Sequence, residues 1–100
     1  MAKWADYLIS AVRYNTDDTH IIMVKQHIDK GDKISSSEEV ARLTVVNNLN
    51  NDYSYMTIYD DDGKWKRGEE VRIIKVGNSE FITTDPNETK KDNLGKLPKF

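Results

Sequence analysis

The sequence predicts a single α+β domain, with one helix packed on a mostly antiparallel sheet in the order β-β-α-β-β-β. Three observations carry that expectation. The chain has 100 residues, 37% of them apolar and 32% charged, which suits one small domain burying roughly two-thirds of its unfolded surface. The apolar residues are clustered, in YLISAV, HIIMV, EVARLTVV, YMTIY, VRIIKV and EFIT, as a thin core requires and a disordered chain does not. Most of these runs are rich in β-branched and aromatic residues and bounded by turn formers, and one stretch changes period.

Asp6 to Asn15, DYLISAVRYN, reads as the first strand and stops at the turn-forming cluster NTDD. His20 to Asp29, HIIMVKQHID, follows after about five residues, a gap that suits an antiparallel hairpin. Ile22, Val24 and Ile28 share one face of this second run, with Gln26 as the exception, and Ile21, Met23 and Lys25 share the other. Both faces are partly apolar, so the sheet needs a cover on each side.

After the loop KGDK, the stretch SSSEEVARLTVVNNLNN reads as the helix. Ser36 and Glu39 fit a capping box, and Glu38 and Glu39 sit where the helix dipole favours anions. Val40, Leu43, Val46 and Leu49 would form the buried stripe, and the asparagines from Asn47 to Asn51 would end the helix. Three strands then form a meander: Tyr53 to Tyr59, about Glu70 to Val76, and Glu80 to Thr84. Asp62-Gly63 and Gly77-Asn78 are their connections, since these residues accept positive φ cheaply. The segment around Trp65 either extends a strand or forms a longer loop. No repeat, linker or second domain is visible: residues 1–100 read as one domain, with a core over about 5–85 and a C-terminal strap over about 86–100.

Composition bounds the partners. A net charge of −2 with both signs dispersed provides no dense positive field for phosphates. Without cysteine there is neither a disulfide scaffold nor a thiolate metal site. The opening MAKWADYLIS lacks a signal-peptide apolar region, and no apolar run approaches the ~20 residues that cross a bilayer. The expectation is a cytoplasmic protein away from membranes.

No catalytic constellation emerges, and the chain reads as a non-enzyme without cofactor. In IYDDDGKWKRGE, placing Gly63 at the sixth position of a calcium loop puts Ile58 at the first, where a ligand oxygen is required. An acidic hairpin turn is the better reading. His20 and His27 lie seven residues apart, on opposite faces of one strand and about 23 Å apart at ~3.3 Å per residue, so they cannot share a metal. Ser10, Ser54 and Ser79 lack a nucleophile elbow, and no glycine-rich phosphate cradle occurs. Tyr53, Tyr55 and Tyr59 fall on one strand face, with Trp65, Lys66 and Arg67 nearby. Such aromatics can stack bases or a partner's side chains, and they equally suit ordinary sheet packing. These six are the candidate binding residues.

The chain closes with DNLGKLPKF. Asp92 can cap a turn beside Asn93, Gly95 permits a bend, and Pro98 stiffens the end. Leu94, Leu97 and Phe100 recur every three residues, and so share a side in either a 3₁₀ or a polyproline-like form. The expected role is a strap over the sheet face that the helix leaves open; the alternative is a motif docking on another chain.

With DYLISAVRY, His20-Ile21, the S..EEV of Ser36 to Val40, the aromatic strand Tyr53 to Thr57, the hairpin Val71 to Pro86 and the closing DNL..LP.F, the chain resembles a family of short bacterial and phage proteins, domain of unknown function 3892. The acidic-then-basic DDDGKWKRGEE is longer than that pattern implies. The resemblance implies an architecture and a phage or prophage derivation, and no reaction. The leading expectation is a non-catalytic module that binds a protein partner. A small-ligand or nucleotide-binding protein is the alternative, and a nucleic-acid binder stands third.

Overall fold

The structure is a computed structural model and describes residues 4–16, 20–84, 94 and 97–100. It is α+β, with one helix and an open six-stranded sheet. The strands are β1 Tyr7–Tyr14, β2 Ile21–Ile28, β3 Glu38–Ala41, β4 Tyr55–Asp61, β5 Lys64–Val76 and β6 Ser79–Thr83, and the helix is α1 Arg42–Asn50. In space the strands run β3-β2-β1-β4-β5-β6. All neighbours are antiparallel except β1 and β4, which pair in parallel over Tyr7–Ile9 and Tyr55–Thr57.

The element order has one strand more than the sequence predicts. Glu38, Glu39, Val40 and Ala41 do not begin a helix; they pair with Gln26, Lys25, Val24 and Met23 as the edge strand β3. The Ser36–Glu39 capping box is therefore not formed, and the helix starts after Ala41 without a side-chain cap. The physical reason is competition for the exposed edge of β2, whose unpaired N–H and C=O groups are satisfied by a ladder. The buried stripe shifts accordingly: Val45 and Val46 are buried, Leu49 is half-buried, and Leu43 is exposed.

Turn chemistry is as expected at both hairpins of the meander. Asp62 and Gly63 take φ of 56° and 81° between the paired Asp61 and Lys64, a two-residue turn whose twist matches the strands. Trp65 lies within β5, so the acidic-then-basic segment extends that strand. Partway along, the register shifts between Met56 and Ile58. Gly68 is required there, since an added Cβ would lie 2.4 Å from Thr57 Oγ1; the same hydroxyl accepts from the Glu69 N–H at 2.9 Å.

Two apolar clusters lie on opposite sides of the sheet. On the helix side, Val45 and Val46 pack with Ile9, Val12, Ile21, Val24, Tyr55, Val71, Ile82 and Leu94. On the far side, Leu8, Ala5 and Ile58 pack with Trp4, Ile34 and Met56. The leucines of the tail do not cover the far face as the sequence suggests, and of the three spaced apolar residues only Phe100 reaches it. Leu94 is 2% exposed within the helix-side cluster and Leu97 packs against it. Pro98 O then accepts from Val12 N–H at 2.9 Å, and Phe100 N–H donates to Val12 O at 3.1 Å. The tail thus adds a short parallel pairing to β1 at Val12, beyond the three residues that β1 shares with β4. Phe100 does not share a side with Leu94: its ring lies under the Arg13 guanidinium at 4.6 Å and the Lys25 ammonium at 5.1 Å. Asp92 and Asn93 lie outside the described residues.

Candidate functional site

The far face carries a concavity that the sequence does not announce. Trp4, Asp29, Gly31, Asp32, Lys33, Ile34 and Trp65 line a pocket of about 190 Å³. The chain has only two tryptophans, and both are there. Alternate residues at the end of β2 hold them. His27 and Asp29, two positions apart, point to the same side of the strand and are 5% and 4% exposed.

Asp29 fixes the Trp4 side. Its Oδ2 accepts from Trp4 N–H at 2.7 Å and Ala5 N–H at 3.4 Å, and its Oδ1 accepts from Gly31 N–H at 2.9 Å. One carboxylate therefore ties the N-terminal segment to the 29–34 loop, which takes a tight turn at Gly31 (φ 83°). His27 fixes the Trp65 side. Its ring meets the Trp65 indole edge-on, with centroids 5.3 Å apart. Its Nδ1 lies 2.8 Å from the Ser35 carbonyl oxygen, which can only accept, so Nδ1 carries the proton and donates. Nε2 lies 2.7 Å from the Ser10 hydroxyl, and in the neutral ring it is the acceptor of that pair. Ser10 sits where the β1–β2 register shifts between Ile9 and Ala11, an irregularity that turns its side chain toward His27.

The sequence-derived candidates do not gather into one site. Tyr55 is fully buried; its hydroxyl donates to Gln26 Oε1 and accepts from Asn48 Nδ2 at 2.9 Å. Burial pushes its pKa up to about 12. It stacks on Tyr7 at 5.1 Å, and Tyr53, which precedes β4, meets Tyr7 edge-on at 5.7 Å. Tyr59 is half-exposed and pairs with Lys66 across the hairpin. The tyrosines fail to form one exposed row because Tyr53 precedes the strand and Tyr55 is buried in the helix-side cluster, which leaves Tyr59 as the one of the three exposed on β4. Of the six, only Trp65 lines the tryptophan pocket; Lys66 and Arg67 are exposed and outside it. Trp4, His27 and Asp29 are missed by sequence reasoning. Their signal is the polar pair H-x-D closing an apolar strand, which becomes meaningful only when both side chains are seen to be buried.

A second concavity of about 450 Å³ lies on the helix side, lined by Tyr53, Tyr55, Leu49 and Val71 among others. Its charged lining is balanced, with Asp52 and Glu70 against Arg72 and Lys75, so it presents no net field to a phosphate. Among the described residues, no group of three or more His, Asp or Glu side chains could hold a metal ion. No described helix is long and apolar enough to cross a membrane.

The family model described as protein of unknown function (DUF3892) matches residues 8–98. The chain belongs to this family. No curated protein matches the chain, and no solved structure does. The DUF3892 match covers β1 from Leu8, all the later strands and the helix, and runs as far as Pro98, while Trp4 and Tyr7 fall outside the matched residues.

Proposed function

We propose that this DUF3892 protein is a small, non-catalytic binding module of the cytoplasm, recognising a protein partner through the tryptophan pocket. The observation that carries the reading is convergence. Trp4 and Trp65 come from distant parts of the chain to line one concavity, and a buried polar residue holds each of them, Asp29 just past β2 and His27 within it. A tryptophan that is 39% exposed at such a rim is the residue type that dominates protein contacts. The volume of about 190 Å³ suits one inserted side chain, and is below the ~300–1,000 Å³ of sites for drug-sized ligands and cofactors. The non-catalytic part rests on Ser10 and His27, whose hydrogen bonds hold a wall of the pocket in place. The dispersed charge and net −2 argue against nucleic acid.

Photo-crosslinking tests this. The crosslinking amino acid p-benzoylphenylalanine is placed at position 65, and in a second variant at exposed Leu43 on the helix. A discrete protein adduct from position 65 and not from position 43 is expected. No adduct at 65, or the same adducts from both, would sink the reading. A small ligand in the helix-side groove is the second reading, favoured by that groove's larger volume. A thermal-shift panel checks it, since a ligand at 100 times its dissociation constant adds ~2.7 kcal/mol of stability.

A further inference from the structure

The lining of the tryptophan pocket also defines what chemistry can enter it. Two carboxylates, Asp29 and Asp32, face one ammonium, Lys33, among its lining residues. Asp60 is the cross-strand partner of Trp65 in the β4–β5 ladder and so stands on the same side of the hairpin. Aromatic walls under a net negative field attract cations and repel anions.

Asp29 narrows the choice further. A carboxylate has about four acceptor sites, and here three backbone N–H groups already occupy them in part. Asp29 therefore contributes its charge from the pocket wall more than a free fork of acceptors. A lysine ammonium is compact and strongly hydrated, and needs three acceptors to replace its water. A guanidinium is planar and less hydrated, and it stacks on indole faces. Resting on the binding reading above, we infer that the pocket accepts the guanidinium of an arginine on an exposed segment of the partner protein.

The test uses the full chain labelled with ¹⁵N and follows its two indole Nε1–H signals, both of which report on the pocket. The probes are N-acetyl-arginine methylamide and N-acetyl-citrulline methylamide, which have the same shape but differ in charge. The arginine probe is expected to shift both indole signals saturably. The citrulline probe is expected to bind about tenfold more weakly, equivalent to ~1.4 kcal/mol. Asp32→Asn, at an exposed position, should weaken the arginine probe several-fold without disturbing the rest of the spectrum, and Trp65→Ala should abolish its binding. Equal binding of citrulline and arginine would overturn the guanidinium and leave the binding module standing. No indole shift with either probe would also overturn it, and crosslinking at position 65 would then judge the module on its own.

Discussion

Asp29 shows how much one buried carboxylate can organise. Its oxygens serve three backbone N–H groups from two segments far apart in the chain, and charge-assisted bonds of this kind are roughly twice as strong as neutral ones. Asp29→Ala would leave those donors without an acceptor in a water-poor site. The expected cost is about 2–4 kcal/mol, several times that of an exposed substitution, with a red shift of tryptophan emission as Trp4 loosens. Urea titration with fluorescence detection measures both. Tyr55 makes a second residue-scale prediction through pH. Its pKa lies near 10 in the unfolded chain and is raised to about 12 in the fold. Below pH 10 both states keep the proton and nothing changes. Between pH 10 and 12 the unfolded chain loses its proton first, so stability falls with rising pH, by about 2–3 kcal/mol in all. Tyr55→Phe should flatten this alkaline loss. It should also cost about 1–3 kcal/mol at neutral pH, because Gln26 Oε1 and Asn48 Nδ2 lose a shared partner.

At the scale of elements, the tail is the last piece of the core. Leu94 is buried among Val45, Val46 and Ile82 in the helix-side cluster, and the Pro98 and Phe100 backbones bond Val12 on both sides of its peptide. Leu94→Ala should cost about 2–5 kcal/mol, and removal of residues 94–100 at least as much, read as a lowered melting temperature. An unchanged melting temperature would mean that the tail belongs to another chain's groove. The threefold spacing of Leu94, Leu97 and Phe100 made the tail's structural importance legible, yet not which face it would cover. That was decided by the open flank of β1 at Val12, which depends on how far β4 runs beside it. The misplaced helix start has a similar cause. EEVA carries helix-start chemistry in Glu38 and Glu39, and only the free edge of β2 turns it into a strand. Local patterns gave the three hairpins and the existence of the helix; long-range pairing set the remaining boundaries.

At the scale of the whole molecule, the site and the core share one scaffold, and β1 is its axis. Leu8 belongs to the far-side cluster, while Ile9 and Val12 belong to the helix-side cluster. The same strand bonds β2, β4 and the tail. Neither cluster can disperse without withdrawing residues of β1 from the other, so the two faces should unfold together. The site was hard to read from sequence for the same reason: Trp4, His27, Asp29 and Trp65 come together only after β2, β1, β4 and β5 are in register. Both tryptophans report the far side, whereas backbone circular dichroism reports all six strands and the helix. Denaturant curves followed by the two signals should therefore coincide at one midpoint, as for a two-state domain of this size. A tryptophan transition that precedes the backbone one would make the pocket a separately melting flap. In that case the partner proposed above would order Trp4 and Trp65 on binding instead of meeting them preorganised, and the affinity of the pocket would be lowered by the cost of ordering them.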